Sequence, residues 1–116
     1  MQYVKNADGY SPLANKNVDT GFGLDRMLAF LNGLTDGYKT DLFWPVIEHL
    51  EERSGKKYDE DPEAQKAMRI VADHIRTSTM LIGDVNGILP SNVGAGYILR
   101  RLLRQLLTNS IWISRY

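Results

Sequence analysis

Apolar and polar positions along the chain predict an extended opening followed by four helical stretches. Residues 2–20 carry no helical repeat. Asn6-Ala7-Asp8-Gly9 is a turn cluster and Ser11-Pro12 a second break. Gln2-Tyr3-Val4 and Lys16-Asn17-Val18 are then expected as two short strands of a hairpin with a long connection. Two strands alone are marginally stable in water, so this opening reads as the end of something larger. From Phe22 the period changes. Phe22, Met27, Leu28, Phe30 and Leu31 fall on one side of a short helix closed by Asn32-Gly33. Leu42, Phe43, Val46, Ile47 and Leu50 repeat helically behind Thr40-Asp41. Pro45 is tolerated only in a first turn, which sets the expected start near Thr40 and the end at Ser54-Gly55.

The third helix has the clearest start. Asp61 is a cap, Pro62 suits the first helical position, and Glu63 meets the positive end of the dipole. Met68, Val71, Ile75 and Ile82 continue one apolar face to a loop at 83–90. Ser91 or Asn92 is expected to cap a fourth helix. Its stripe is Ile98, Leu99, Leu102, Leu103, Leu106 and Leu107, with Arg100, Arg101 and Arg104 on the other side. The fold class that follows is mainly α: a small helical bundle behind a short N-terminal β-hairpin stub. No internal repeat or low-complexity segment interrupts it.

Composition narrows this picture only slightly. The 116 residues are 43% hydrophobic and 24% charged, with no cysteine, which excludes a disulfide framework, a thiolate zinc site and a Cys nucleophile. No apolar run approaches the roughly 18 residues of a membrane helix, and the first ten residues lack a signal-peptide core, so a cytoplasmic location is expected. Net charge is zero, which argues against strong nonspecific nucleic-acid binding by the chain as a whole. Its distribution matters more. From Asp41 to Lys66 there are eight acids against four bases; from Tyr97 to Tyr116 there are four arginines and no acid. The C-terminal end is therefore a candidate face for phosphates.

Three segments carry candidate chemistry. In Val18-Asp19-Thr20-Gly21-Phe22-Gly23-Leu24-Asp25-Arg26-Met27, the glycines allow close backbone approach to a ligand, and Arg26 stands one turn into a helix where its fork suits a phosphate. The same residues fit a tight turn with a solvated Arg26 and a capping Asp19. In Val71-Ala72-Asp73-His74-Ile75-Arg76-Thr77, His74 has no histidine neighbour. The helical pairs Arg69/Asp73 and Asp73/Thr77 favour a structural polar network over a metal site. In Leu89-Pro90-Ser91-Asn92, continuing to Gly96-Tyr97-Ile98-Leu99-Arg100-Arg101, an amide and free backbone N–H groups at a helix start can bind phosphate or read a base edge. A plain helix cap and a solvated arginine face fit these residues as well.

In order and in spacing, these segments resemble the alanyl-tRNA synthetases. Asn17 to Arg26 is similar to that family's form of class II motif 3. Tyr38-Lys39-Thr40-Asp41-Leu42-Phe43, Ala72-Asp73-His74-Ile75-Arg76, and the Pro90-Ser91-Asn92 and Gly96-to-Arg101 pair follow in register, over roughly residues 2 to 107. Asp25 stands where the family usually has Glu, Ala95 replaces a commonly basic residue, and Gln105 interrupts a second arginine pair. Nothing here resembles motifs 1 and 2.

The resemblance implies an enzyme that activates alanine with ATP and magnesium and esterifies its tRNA. It implies residues 1–33 as the end of a catalytic domain and 34–116 as the start of a helical tRNA-recognition domain. Arg26 would then bind ATP phosphates, with Gly21 and Gly23 leaving room for the ligands, and Asp19 would hold the alanine ammonium group. Asn92 would lie near the G·U pair of the acceptor stem, with Arg100, Arg101 and Arg104 on its backbone. Taken alone the chain is expected to be a catalytically inactive fragment that holds neither ATP nor magnesium tightly. A non-catalytic RNA-binding or self-associating module is the alternative. The hairpin edge and the tail Ser110-Ile111-Trp112-Ile113 are its candidate homodimer surfaces.

Overall fold

The computed structural model describes residues 2–18 and 20–115. The hairpin is tighter than the sequence predicts. Strands β1 (Tyr3–Asn6) and β2 (Gly9–Pro12) pair antiparallel, from Asn6 opposite Gly9 at the turn to Tyr3 opposite Pro12 at the open end. Ala7-Asp8 is the whole connection, and Gly9 takes φ 131°, a conformation that favours glycine. The expected second strand at 16–18 is not formed. Asp8-Gly9 reverses the chain at once, and Pro12, which has no N–H to donate, sits at the end of the outer pair rather than breaking the strand.

Helix α1 spans Leu24–Leu31 and ends at Asn32, with Gly33 at φ 66°. Its predicted apolar side is not covered. Ala29 is the buried residue, while Phe22, Phe30 and Leu31 are exposed. A 3-10 turn at Gly37–Lys39 follows, capped by Asp36, whose Oδ1 accepts from the Tyr38 N–H at 3.0 Å. Helix α2 runs Trp44–Ser54 and starts later than expected. Thr40 is buried, its hydroxyl donates to the Gly37 carbonyl at 2.7 Å, and its own carbonyl accepts from the Phe43 and Trp44 N–H groups. Thr40-Asp41 thus builds the turn before the helix, and Pro45 falls in the first turn, where its missing N–H costs nothing. Gly55 ends α2 in the left-handed conformation.

Helix α3 (Pro62–Gly83) begins as predicted: the Asp61 carboxylate accepts from the Glu63 and Ala64 N–H groups at 3.0 and 3.1 Å. Helix α4 (Gly94–Arg115) packs along it. His74 meets Gln105, and Lys66 lies beside Asn109, so the two 22-residue helices run antiparallel. The covered faces are shifted from the predicted stripes. Ile75 and Ile82 of α3 and Ile98 and Leu107 of α4 are exposed. Small residues take their place on α3, where Ala64, Ala67, Ala72 and Ser78 are buried and let its neighbours approach closely, while Gly96 on α4 is buried against its own preceding loop.

The core lies where α2 meets the α3–α4 pair. Phe43, Ile47, Tyr58, Met68, Val71 and Ile113 form it, with Trp44, Leu106 and Trp112 packed around them. Ile113 and Trp112 are therefore tied into the bundle, leaving Ile111 as the exposed apolar residue of that tail. Among the described residues no helix is long and apolar enough to cross a membrane.

Candidate nucleic-acid interface

The head of α4 is built by a short loop that folds on itself. The Ser91 N–H donates to the Gly96 carbonyl at 3.0 Å, and the Ser91 hydroxyl donates to the Val93 carbonyl at 2.8 Å. Gly96 is required there: a Cβ would stand 2.4 Å from the Ser91 hydroxyl and 2.5 Å from the Leu89 carbonyl oxygen. Neither Ser91 nor Asn92 caps the helix in the expected way. The Ser91 hydroxyl accepts from Val93, which precedes the helix, and Asn92 turns its amide oxygen to the Arg100 guanidinium two turns along. Asn92 is exposed, and its Nδ2 remains as a donor beside the oxygen that Arg100 takes.

Arg101 and Arg104 point to a neighbouring face. With Tyr97, Gln105, Thr108 and Asn109 they line an open groove of about 330 Å³. No carboxylate lines it, and Arg101 and Arg104 make no ion pair among the described residues. The structure thus brings Asn92 and Arg100 together and sets Arg101 and Arg104 beside them.

His74 supports this face from α3. Its Nε2 is 2.8 Å from the Gln105 Oε1, and its Nδ1 is 3.2 Å from the Asp73 carboxylate. The ring thus bridges α3 to Gln105 of α4. Of the expected pairs around Asp73, neither Arg69/Asp73 nor Asp73/Thr77 forms among the described residues; Asp73 meets His74 instead.

Arg69 turns instead to a network that the sequence did not reveal. Its Nε donates to the Tyr58 hydroxyl at 2.7 Å and its Nη2 to Asp36 at 2.8 Å, while the Tyr58 hydroxyl donates to the same Asp36 oxygen at 2.6 Å. Burial pushes the Asp36 carboxyl up, but the hydrogen bonds from Tyr58, the Tyr38 N–H and Arg69 outweigh it and hold Asp36 below the ordinary carboxylate value. Tyr58 is pushed up to about 12, first by burial and then by its bond to Asp36. Asp36 and Arg69 are 33 residues apart, a separation at which no local pattern signals a contact.

Beside this network opens a second cleft of about 370 Å³, where Arg26 and Asp25 of α1 face Asp36, Arg69 and Asp73. Arg26 is exposed. A Cβ at Gly21 would meet nothing within 4 Å, and one at Gly23 would meet the Asp25 carboxylate at 3.2 Å. Crowding inside the chain therefore does not demand glycine at 21. Asp19 lies outside the described residues. Among the described residues no group of three or more His, Asp or Glu side chains converges as a metal site.

A helical bundle with this order of elements and a cation-rich helix face is matched by one family model. That of the class II (A) tRNA synthetases covers residues 1–110, and the chain belongs to that family. Its curated relatives narrow the likeness. It is 49% identical to an alanine–tRNA ligase of Treponema denticola over 106 residues, 90% of this chain and 18% of that protein. It is 50% identical to one of Geobacillus kaustophilus over 105 residues, 90% of this chain and 12% of that protein. A Borrelia hermsii alanine–tRNA ligase is 44% identical over 108 residues, covering 92% of this chain and 18% of its own length. The resemblance read from the motifs is borne out, and the chain spans less than a fifth of the length of these relatives.

Proposed function

We propose that this chain is a segment of an alanine–tRNA ligase that joins the end of the catalytic domain, residues 1–33, to the start of the tRNA-recognition domain, residues 34–116. The observation that carries the reading is the pairing of Asn92 with Arg100 at the head of a helix whose next arginines, Arg101 and Arg104, have no acid beside them. An amide with a free donor can read a base edge, while A-form RNA is otherwise held through phosphate and ribose. Asn92 reads the G·U pair of the acceptor stem, and the three arginines hold the backbone.

At the other end, Arg26 binds the ATP phosphates, Gly21 and Gly23 admit the nucleotide, and Asp19 holds the alanine ammonium group. Open space around Gly21 and the exposed guanidinium of Arg26 support that reading. Neither ATP nor magnesium is held tightly by the chain on its own. Alone, the chain does not form alanyl-tRNA, because stabilising the transition-state charge needs donors preorganised around the phosphate beyond Arg26. The whole enzyme acts in the cytoplasm.

The test is binding to an alanine-tRNA acceptor-stem hairpin, with G·U compared to G·C at two salt concentrations. The expected result is a preference for G·U that disappears in Asn92→Ala. Equal, salt-sensitive binding to both hairpins would reduce the site to an arginine patch. ATP-dependent alanyl-tRNA formation by the chain alone would refute its inactivity.

A further inference from the structure

The groove at Arg101 and Arg104 does not end with them. Thr108 and Asn109 form its lower edge and also border a second hollow of about 200 Å³, which Lys66 and Glu63 of α3 and Trp112 of α4 complete. The two hollows adjoin at Thr108 and Asn109: the first runs along α4, and the second lies at the α3–α4 seam. From Arg101 to Trp112 the pair follows α4 for eleven residues, about 16 Å. Trp112 lies beyond residue 110, where the family match stops, and Lys66 belongs to none of the motifs that carried the resemblance.

The lining alternates in chemistry. Arg101, Arg104 and Lys66 are donors with no ion pair among the described residues. Gln105 gives its oxygen to His74, which leaves its Nε2 as a further donor. Between these stand acceptors. The Thr108 hydroxyl spends its proton on the Arg104 carbonyl, and the Asn109 amide nitrogen donates to the Gln105 carbonyl, so Thr108 Oγ1 and Asn109 Oδ1 remain to accept. Donors for phosphate oxygens and acceptors for hydroxyl protons in the two adjoining hollows match a ribose–phosphate strand, whose 2′-hydroxyls donate where its phosphates accept. Trp112 is a wall here, not a stacking platform, because the Lys56 ammonium covers its ring at 4.6 Å. Lys56 in turn lies 3.8 Å from Asp61, so Glu63 is the carboxylate on the channel itself and opposes a phosphate there.

We propose that this seam is a second RNA-contact station, in which Lys66, Thr108 and Asn109 hold the ribose–phosphate backbone beyond the part held by Arg101 and Arg104. It rests on the reading that the arginines of α4 bind RNA, and it extends the contact to α3.

The experiment measures binding of an alanine-tRNA acceptor-stem hairpin, its all-deoxy counterpart and inorganic polyphosphate as a function of salt. It uses the wild-type chain and the variants Lys66→Ala, Glu63→Gln, Asn109→Ala, Arg104→Ala and Lys5→Ala, each checked for helix content. Lys66→Ala is expected to weaken RNA binding about fivefold and to lower the slope of log affinity against log salt by about one. Glu63→Gln is expected to tighten it about twofold by removing the opposing charge. Asn109→Ala should weaken RNA binding and leave the deoxy hairpin unaffected, and Lys5→Ala, a cation on the hairpin, should change nothing. If Arg104→Ala weakens binding while the Lys66, Glu63 and Asn109 variants behave as wild type, the second station is wrong and the arginine face stands. If Asn109→Ala changes polyphosphate or deoxy binding as much as RNA binding, the channel is a general polyanion patch and the assignment to RNA fails. Absence of RNA binding by the wild-type chain overturns both readings.

Discussion

Tyr58 is the residue on which the link between the two ends of the chain turns. It is fully buried, and its hydroxyl is shared between Asp36, in the connection after α1, and Arg69, in the middle of α3. Tyr58→Phe keeps the ring and its edge-on contact with Trp44 but removes the hydroxyl, leaving the Arg69 Nε–H without its acceptor. An unsatisfied partner of this kind costs about 1–3 kcal/mol, which chemical denaturation of the two proteins would measure. A loss within error would mean that water replaces the hydroxyl. The same network sets a pH dependence at each end. The folded Tyr58 holds its proton to about pH 12, against an ordinary value near 10. Its stabilising share is complete below about pH 10 and is lost as the pH climbs towards 12, because the unfolded chain gives up the proton first. Asp36 is shifted down, so its share is complete above the ordinary carboxylate range near pH 4 and is lost as the pH falls below it. Tyr58→Phe should flatten the alkaline decline, and a variant that kept its full slope between pH 10 and 12 would place that titration elsewhere.

The elements were legible where their cause is local and obscure where it is not. Asp61-Pro62-Glu63 announced the start of α3 because capping, the proline and the dipole act within four residues. The second strand of the hairpin is obscure in the sequence because Asp8-Gly9 stands among several break signals, although two residues between strands are enough to close a turn. The buried stripe of α3 is displaced because packing selects alanine for close approach, and a count of large apolar residues passes over it. For the site, Asn92 and the three arginines were legible through a resemblance in motif order, whereas Lys66, Asn109 and the Asp36–Tyr58–Arg69 network arise only when α3 meets its neighbours. Gly96 shows how an element positions a site. Gly96→Ala would drive a methyl group against the Ser91 hydroxyl and the Leu89 carbonyl, and the backbone must shift because the carbonyl cannot rotate away. Overpacking of this kind costs about 1–3 kcal/mol. The loop that moves carries Asn92, so if Asn92 reads the base pair and the arginines hold the backbone, as proposed, discrimination between G·U and G·C should fall more than total RNA affinity. Retention of full discrimination in a folded Gly96→Ala chain would show that Asn92 is not set by this loop.

At the scale of the whole molecule the chain is extended. Its radius of gyration is 19.7 Å over extents of 65 × 41 × 24 Å, where a compact domain of this length has roughly 13 Å. The extension comes from the N-terminal end. The principal packing is α3 with α4, α2 with both of these, and α1 with the 3-10 turn, while β1 and β2 pack chiefly on each other. Tyr3, Val4 and Tyr10 of the hairpin and Phe22, Phe30 and Leu31 around α1 stay exposed. An isolated two-stranded hairpin is marginally stable, so its hydrogen bonds open without disturbing the bundle, whereas those of α3 open only when the core of Ile47, Met68 and Val71 is lost. The Asp36–Tyr58–Arg69 network marks the boundary between these regimes, because its hydrogen bonds fix the connection after α1 to α3 beside the packing of Tyr38 on Phe43. Native-state amide hydrogen exchange should therefore resolve three tiers. The hairpin amides exchange fastest, α1 and the 3-10 turn follow, and the central amides of α3 are slowest and track global unfolding. Tyr58→Phe should accelerate the middle tier most, by lowering its opening energy without opening the hairpin further. Equal protection in the hairpin and α3 would mean that the two unfold together, and that the exposed aromatic residues of the N-terminal end are held by contacts as cooperative as those of the core.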